Sequence, residues 1–127
     1  MKDFLNWHTK KSKLDIIEQR PYFHEGEVWY TSLGLNIGYE QDGKGLDYLR
    51  PVLIVRKFNN DVCWIVPLTH TPKDNIFYVH ITVIGKSSTA ILSQLKLLDA
   101  RRFSHMIDKI SDEDFKLVTK KLKGLIP

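Results

Sequence analysis

Arg50-Pro51-Val52-Leu53-Ile54-Val55-Arg56-Lys57-Phe58, Asn59-Asn60-Asp61, Val62-Cys63-Trp64-Ile65-Val66-Pro67-Leu68-Thr69: two apolar runs on either side of a polar break decide how this chain folds. Both runs are short and rich in β-branched residues, so they read as strands. Asn and Asp tolerate positive φ and bond their own backbone, so the break reads as a hairpin turn. Pro51 has no N–H to donate and belongs at a strand start or an edge. Such a hairpin brings Arg50, at the start of one strand, near Thr69, at the end of the other. An arginine and a hydroxyl at one end of a small barrel make an anion site.

Upstream, Asn36 to Leu49 reads as a long loop, and Asp42-Gly43-Lys44-Gly45 within it lacks the glycine spacing of a phosphate-cradling P-loop. Glu27 to Leu33 reads as a strand that stops before Gly34. Residues 1–24 read as an N-terminal helical extension, in which Phe4, Trp7, Leu14 and Ile17 make one stripe and Lys10, Lys11 and Lys13 lie between them. Pro21 should stop that helix at Arg20.

Downstream, Thr71 to Asn75 is a turn. Phe77 to Ile84 alternates as a half-buried strand, with Phe77, Val79, Ile81 and Val83 on one face. Gly85 to Ser88 is predicted as a turn and Thr89 to Leu98 as a further strand. Ser111 is a good helix N-cap, and Asp112, Glu113 and Asp114 suit the positive end of a helix dipole. Ile110 and Phe115 are placed for a hydrophobic staple, and Phe115, Val118, Leu122 and Leu125 form the buried stripe. About five strands and one terminal helix do not fit alternating βαβ units. They predict a mainly β fold, a small antiparallel barrel over residues 25–127 with a C-terminal helix.

The 127 residues suit one domain, and 43% hydrophobic with 27% charged residues suits a globular one. No apolar run approaches the roughly 20 residues of a membrane span. The first residues lack the uninterrupted apolar core of a secretory leader. With Cys63 the single cysteine, the expectation is a cytoplasmic protein with a buried structural thiol. A net charge of +4 permits nucleic acid or an acidic protein as partner.

One anion that Arg50 and Thr69 would suit is the scissile phosphate of RNA; the alternatives are a surface arginine before a strand and a threonine that caps a turn. When a 2′-oxygen attacks the adjacent phosphorus, the non-bridging oxygens gain negative charge, and a placed guanidinium and hydroxyl stabilise it. Glu40 is a candidate general base, and His70, next to Thr69, could pass protons near neutral pH. Tyr39 and Tyr48 in the loop, and Trp29 and Tyr30 in the strand before it, could stack unpaired bases, although Trp29 is better placed for the core. His24, His80 and His105 are scattered without metal-ligand spacing, and there is no CxxC, GxSxG, HExxH or dinucleotide fingerprint, so no metal or cofactor is expected.

Gly26-Glu27-Val28-Trp29, Gly38-Tyr39-Glu40-Gln41 and Arg50-Pro51-Val52-Leu53-Ile54-Val55, in that order, resemble the PemK/MazF toxins. So do Val66-Pro67-Leu68-Thr69, Ala90-Ile91-Leu92-Ser93-Gln94-Leu95-Lys96 and Asp99-Ala100-Arg101-Arg102-Phe103. The resemblance covers residues 26 to 126. It implies an SH3-like barrel, a homodimer, and the toxin of a type II toxin–antitoxin system that cuts single-stranded RNA without a metal. It also implies a cognate antitoxin with an acidic, disordered C-terminal tail.

By that resemblance Arg50 and Thr69 carry catalysis, and Glu40 and Gln94 lie beside the RNA groove; the full expectation adds Glu40 to the catalytic set and has Tyr39, Gln41, Lys44, Tyr48, His70, Gln94 and Lys96 contact RNA. The chain departs from the family where Tyr39 replaces a serine, where Asp42 to Leu49 lengthen the step from Gln41 to Arg50, at His70, and at Ser93. A second reading of the same barrel is a non-enzymatic module that binds antitoxin or RNA, or inhibits gyrase like the related CcdB toxins.

Overall fold

A computed structural model of the chain describes residues 21–32 and 49–127. The predicted N-terminal helix and the loop residues Tyr39, Glu40, Gln41, Lys44 and Tyr48 lie outside them.

Seven strands are present among the described residues: β1 Glu27–Ser32, β2 Leu49–Lys57, β3 Val62–Thr69, β4 Tyr78–Val83, β5 Lys86–Ile91, β6 Lys96–Asp99 and β7 Phe103–Lys109, followed by helix α1 Asp112–Gly124. They run in the order β4-β5-β3-β2-β1-β7, with β6 also paired to β3. The expected hairpin is the centre of the sheet. β2 pairs antiparallel with β3 through Val52↔Pro67, Leu53↔Val66 and Ile54↔Ile65. The Asn59 side-chain oxygen closes the turn by accepting from the amides of Asp61 at 2.7 Å and Val62 at 2.9 Å.

β2 is apolar at every position from Val52 to Val55 because both faces of the curled sheet are covered. Leu53 and Val55 join Val28, Val66, Leu68, Val79 and Ile81 in one cluster, which Ile110 and Val118 close. Val52 and Ile54 join Phe23, Trp29, Cys63, Ile65 and Phe103 in the other. A strand buried on both faces loses period-two alternation and reads as a continuous run. Helix α1 begins as expected: Ser111 Oγ accepts from the Asp114 amide at 3.1 Å, and Phe115, Leu122 and Leu125 pack on the first cluster. Asp114 also accepts from the Thr82 amide at 3.0 Å, which ties the cap to β4.

Two expectations after Gly85 are corrected, and one strand is added. The predicted turn at Gly85 to Ser88 is mostly strand, because β5 already starts at Lys86. The single strand predicted over Thr89 to Leu98 is the end of β5, a 3-10 turn at Leu92–Gln94, and β6. β5 pairs with the end of β3 through Leu68↔Ala90 and Thr69↔Thr89, whereas β6 pairs with its beginning through Val62↔Asp99 to Ile65↔Lys96. The chain must step sideways between two halves of one neighbour, and the 3-10 turn makes that step. β7 was not predicted. It is an edge strand with Ser104, His105 and Met106 all exposed, so it lacks the alternation that marks a half-buried strand.

Candidate functional site

The cleft lies where β1 ends, β2 begins and β3 ends. It encloses about 430 Å³, and its lining includes Tyr30, Arg50, Thr69, His70, Thr71 and His105. The hairpin register explains the meeting of Arg50 and Thr69. From Val52↔Pro67, two further steps along the antiparallel pairing bring Arg50 level with Thr69.

Arg50 is 4% exposed, so its guanidinium belongs to the cleft floor rather than the surface. One of its bonds runs from Nη2 to the Leu68 carbonyl at 3.3 Å. Across β1, Arg50 faces Thr31, itself fully buried, whose hydroxyl donates to the Arg102 carbonyl at 2.9 Å. Arg102 Nη1 donates to the Ser32 carbonyl at 3.4 Å, which places a second guanidinium at this end of the sheet.

Thr69 is half-buried. Its Oγ1 accepts from the Thr71 amide at 3.2 Å, and its carbonyl accepts from Ser88 Oγ at 3.5 Å. With that lone pair engaged, the hydroxyl proton is available to an anion in the cleft. None of the described lining residues is acidic. A buried arginine, hydroxyl donors and no carboxylate favour a bound anion.

His70 lines the same cleft, as expected from its place after Thr69. Gln94 and Lys96 do not: Gln94 is in the 3-10 turn, and Lys96 opens β6 opposite Ile65, well inside β3. Glu40, Tyr39, Gln41, Lys44 and Tyr48 lie outside the described residues. The structure adds His105, which the sequence leaves among scattered histidines. Strand β7 sets it opposite Tyr30, with ring centroids 4.9 Å apart. No spacing in the sequence signals this pairing, since it depends on two strands far apart in the chain. Among the described residues no group of three or more His, Cys, Asp or Glu side chains is placed to hold a metal ion.

Residues 24–126 match the model of the PemK-like, MazF-like toxins of type II toxin–antitoxin systems. The chain belongs to this family. Solved structures share the fold. An endoribonuclease in complex with its cognate antitoxin, from a mycobacterial species, is 16% identical over 84% of this chain and 97% of its own, with a TM-score of 0.63. MazF from Deinococcus radiodurans is 20% identical over 86% and 98%, also at 0.63. A MazE-MazF structure from the same organism is 16% identical over 86% and 97%, at 0.59. No curated protein matches the chain by sequence. The PemK/MazF match begins at His24, so the first 23 residues stand outside it.

Proposed function

We propose that this protein is a toxin that cuts single-stranded RNA without a metal, by attack of a 2′-oxygen on the adjacent phosphorus. The observation that carries the reading is the meeting of Arg50 and Thr69 in one cleft whose described lining has no carboxylate. Arg50 donates to the non-bridging oxygens and keeps its charge at every stage, and Thr69 adds a neutral donor. Glu40 and the loop residues Tyr39, Gln41, Lys44 and Tyr48 belong to the proposed RNA site, and Gln94 and Lys96 to its outer edge.

The proposed partners are a cognate antitoxin with an acidic tail, which would fill the basic cleft, and a second copy of this chain. Trp64 stands opposite Leu97 on the β3–β6 pair, 41% and 59% exposed, with Phe58 packed edge-on against Trp64 at 4.9 Å. Such a patch suits a homodimer contact. Among the described residues no helix is long and apolar enough to cross a membrane, and the cytoplasm, where mRNA is met, is the proposed location.

The test is incubation of the purified protein with a long RNA in EDTA, with the cut ends mapped by primer extension. Cleavage at a short recurring sequence is expected. Arg50→Ala should lower the rate by about 10²- to 10³-fold, and its expression should no longer arrest growth. RNA that stays intact, with growth arrest that Arg50→Ala does not relieve, would leave the binding module or gyrase inhibitor as the better reading.

A further inference from the structure

We propose that His105 and His70 are the proton-transfer pair of this cleft, one acting as general base and the other as general acid. The inference rests on the ribonuclease reading above and names the groups that move its protons. Both histidines line the cleft that holds Arg50 and Thr69. They enter it from different strands. His70 directly follows Thr69 at the end of β3, whereas His105 is on β7. Between them lie β2, carrying Arg50, and β1, whose Tyr30 pairs with Pro51 on one side and His105 on the other. Three strand spacings separate the two outer backbones by roughly 14 Å, and both residues line the cleft between them. In-line displacement requires this placement, because the attacking and leaving oxygens stand on opposite sides of phosphorus.

His105 is also held in place. Its Nδ1 is 3.1 Å from Ser104 Oγ, and its ring lies 4.9 Å from that of Tyr30. That hydrogen bond leaves Nε2 as the atom for the substrate. The other described polar lining groups are a guanidinium, hydroxyls and a phenol, so the two imidazoles are the described lining side chains suited to general acid–base work.

The step balances. A neutral imidazole takes the proton of the 2′-hydroxyl as the O2′–P bond forms. The partner imidazolium gives its proton to O5′ as the P–O5′ bond breaks. The products are a 2′,3′-cyclic phosphate and a 5′-hydroxyl, with no net proton and no redox change.

The test compares His105→Gln and His70→Gln with the wild type on an RNA oligonucleotide spanning a cut site mapped for the wild type. A second oligonucleotide carries sulfur in place of the bridging 5′-oxygen, a leaving group that departs without protonation. On the natural ester each variant should lose about 10²- to 10⁴-fold in rate. On the sulfur substrate one variant, the one lacking the acid, should return to within about tenfold of the wild type, while the other stays slow. Both histidines are exposed, so melting temperatures should be unchanged, and His105→Asn replaces His105→Gln if they are not.

The pair is wrong if His105→Gln cuts the natural ester within about threefold of the wild type. It is wrong if the sulfur substrate rescues both variants or neither. It is also wrong if Glu40→Gln, rather than a histidine variant, carries the unrescued loss. A wild-type protein that cuts no RNA defeats the ribonuclease reading itself, and this inference with it; intact wild-type cleavage with unaffected histidine variants defeats the inference alone.

Discussion

Cys63 is fully buried beneath the β3–β6 pair, and burial, with the Asp99 carboxylate in second place, pushes its thiol up from 9.0 to about 12, against the opposing Lys57. The folded protein therefore keeps the proton through a range in which the unfolded chain gives it up. Stability is fully present below pH 9.0 and is lost as pH rises from there towards about 12. Denaturant midpoints taken across that range should fall for the wild type and fall less for Cys63→Ser. An alkylating reagent at mildly alkaline pH should leave the native thiol unmodified and label it only on unfolding, since the thiolate is the nucleophile. Arg50 shows how a single residue can be both legible and surprising. Its approach to Thr69 follows from a hairpin whose strands and turn are plain in the sequence. Its burial does not, because β1, where Thr31 pairs with Arg50, comes from a part of the chain that the hairpin says nothing about. A buried cation is costly unless hydrogen-bonded or paired, and the Leu68 carbonyl is one partner that holds this one.

Among the elements, the β4–β5 hairpin carries a local conflict. Its two turn residues, Ile84 and Gly85, both have positive φ, at 50° and 70°, between the paired Val83 and Lys86. A two-residue turn of this kind favours Asn-Gly, and a β-branched residue in the left-handed region costs about 1–2 kcal/mol. Ile84 is 62% exposed, so little packing offsets that cost. Its amide donates to Asp108 on β7 at 2.7 Å, a bond that any residue except proline retains. Ile84→Asn should therefore raise unfolding stability by about 1 kcal/mol, measured by denaturant titration, and an unchanged or lower midpoint would count against the strain. Helix α1 tests the opposite case, an element whose local signals agree. Ser111→Ala removes the acceptor for the Asp114 amide and should cost about 1 kcal/mol in the same titration. The helix was fully legible because cap, charge and stripe are all local. β5, β6 and β7 were not, because their borders depend on which half of β3, or which edge of β1, they meet.

At the scale of the molecule, the charge of +4 and the acid-free described lining of the cleft point to partners with negative charge. Binding of an RNA made uncleavable by a 2′-deoxy residue at the cut site should weaken roughly tenfold or more between about 50 and about 200 mM salt, if about three phosphates are held. Fluorescence anisotropy over a salt series measures this, and a flat response would exclude phosphate contacts as the source of affinity. By itself, the sequence determined the β2–β3 hairpin, the β4 strand, the capped C-terminal helix and the approach of Arg50 to Thr69. These rest on period, turn chemistry and capping, which act over a few residues. Only the tertiary structure decided that β2 is buried on both faces, that β3 divides its pairing between β5 and β6, that Arg50 is buried, and that His105 joins the cleft. Each of these depends on contacts between segments far apart in the chain, where the curl of the sheet, and not any local pattern, selects the neighbours.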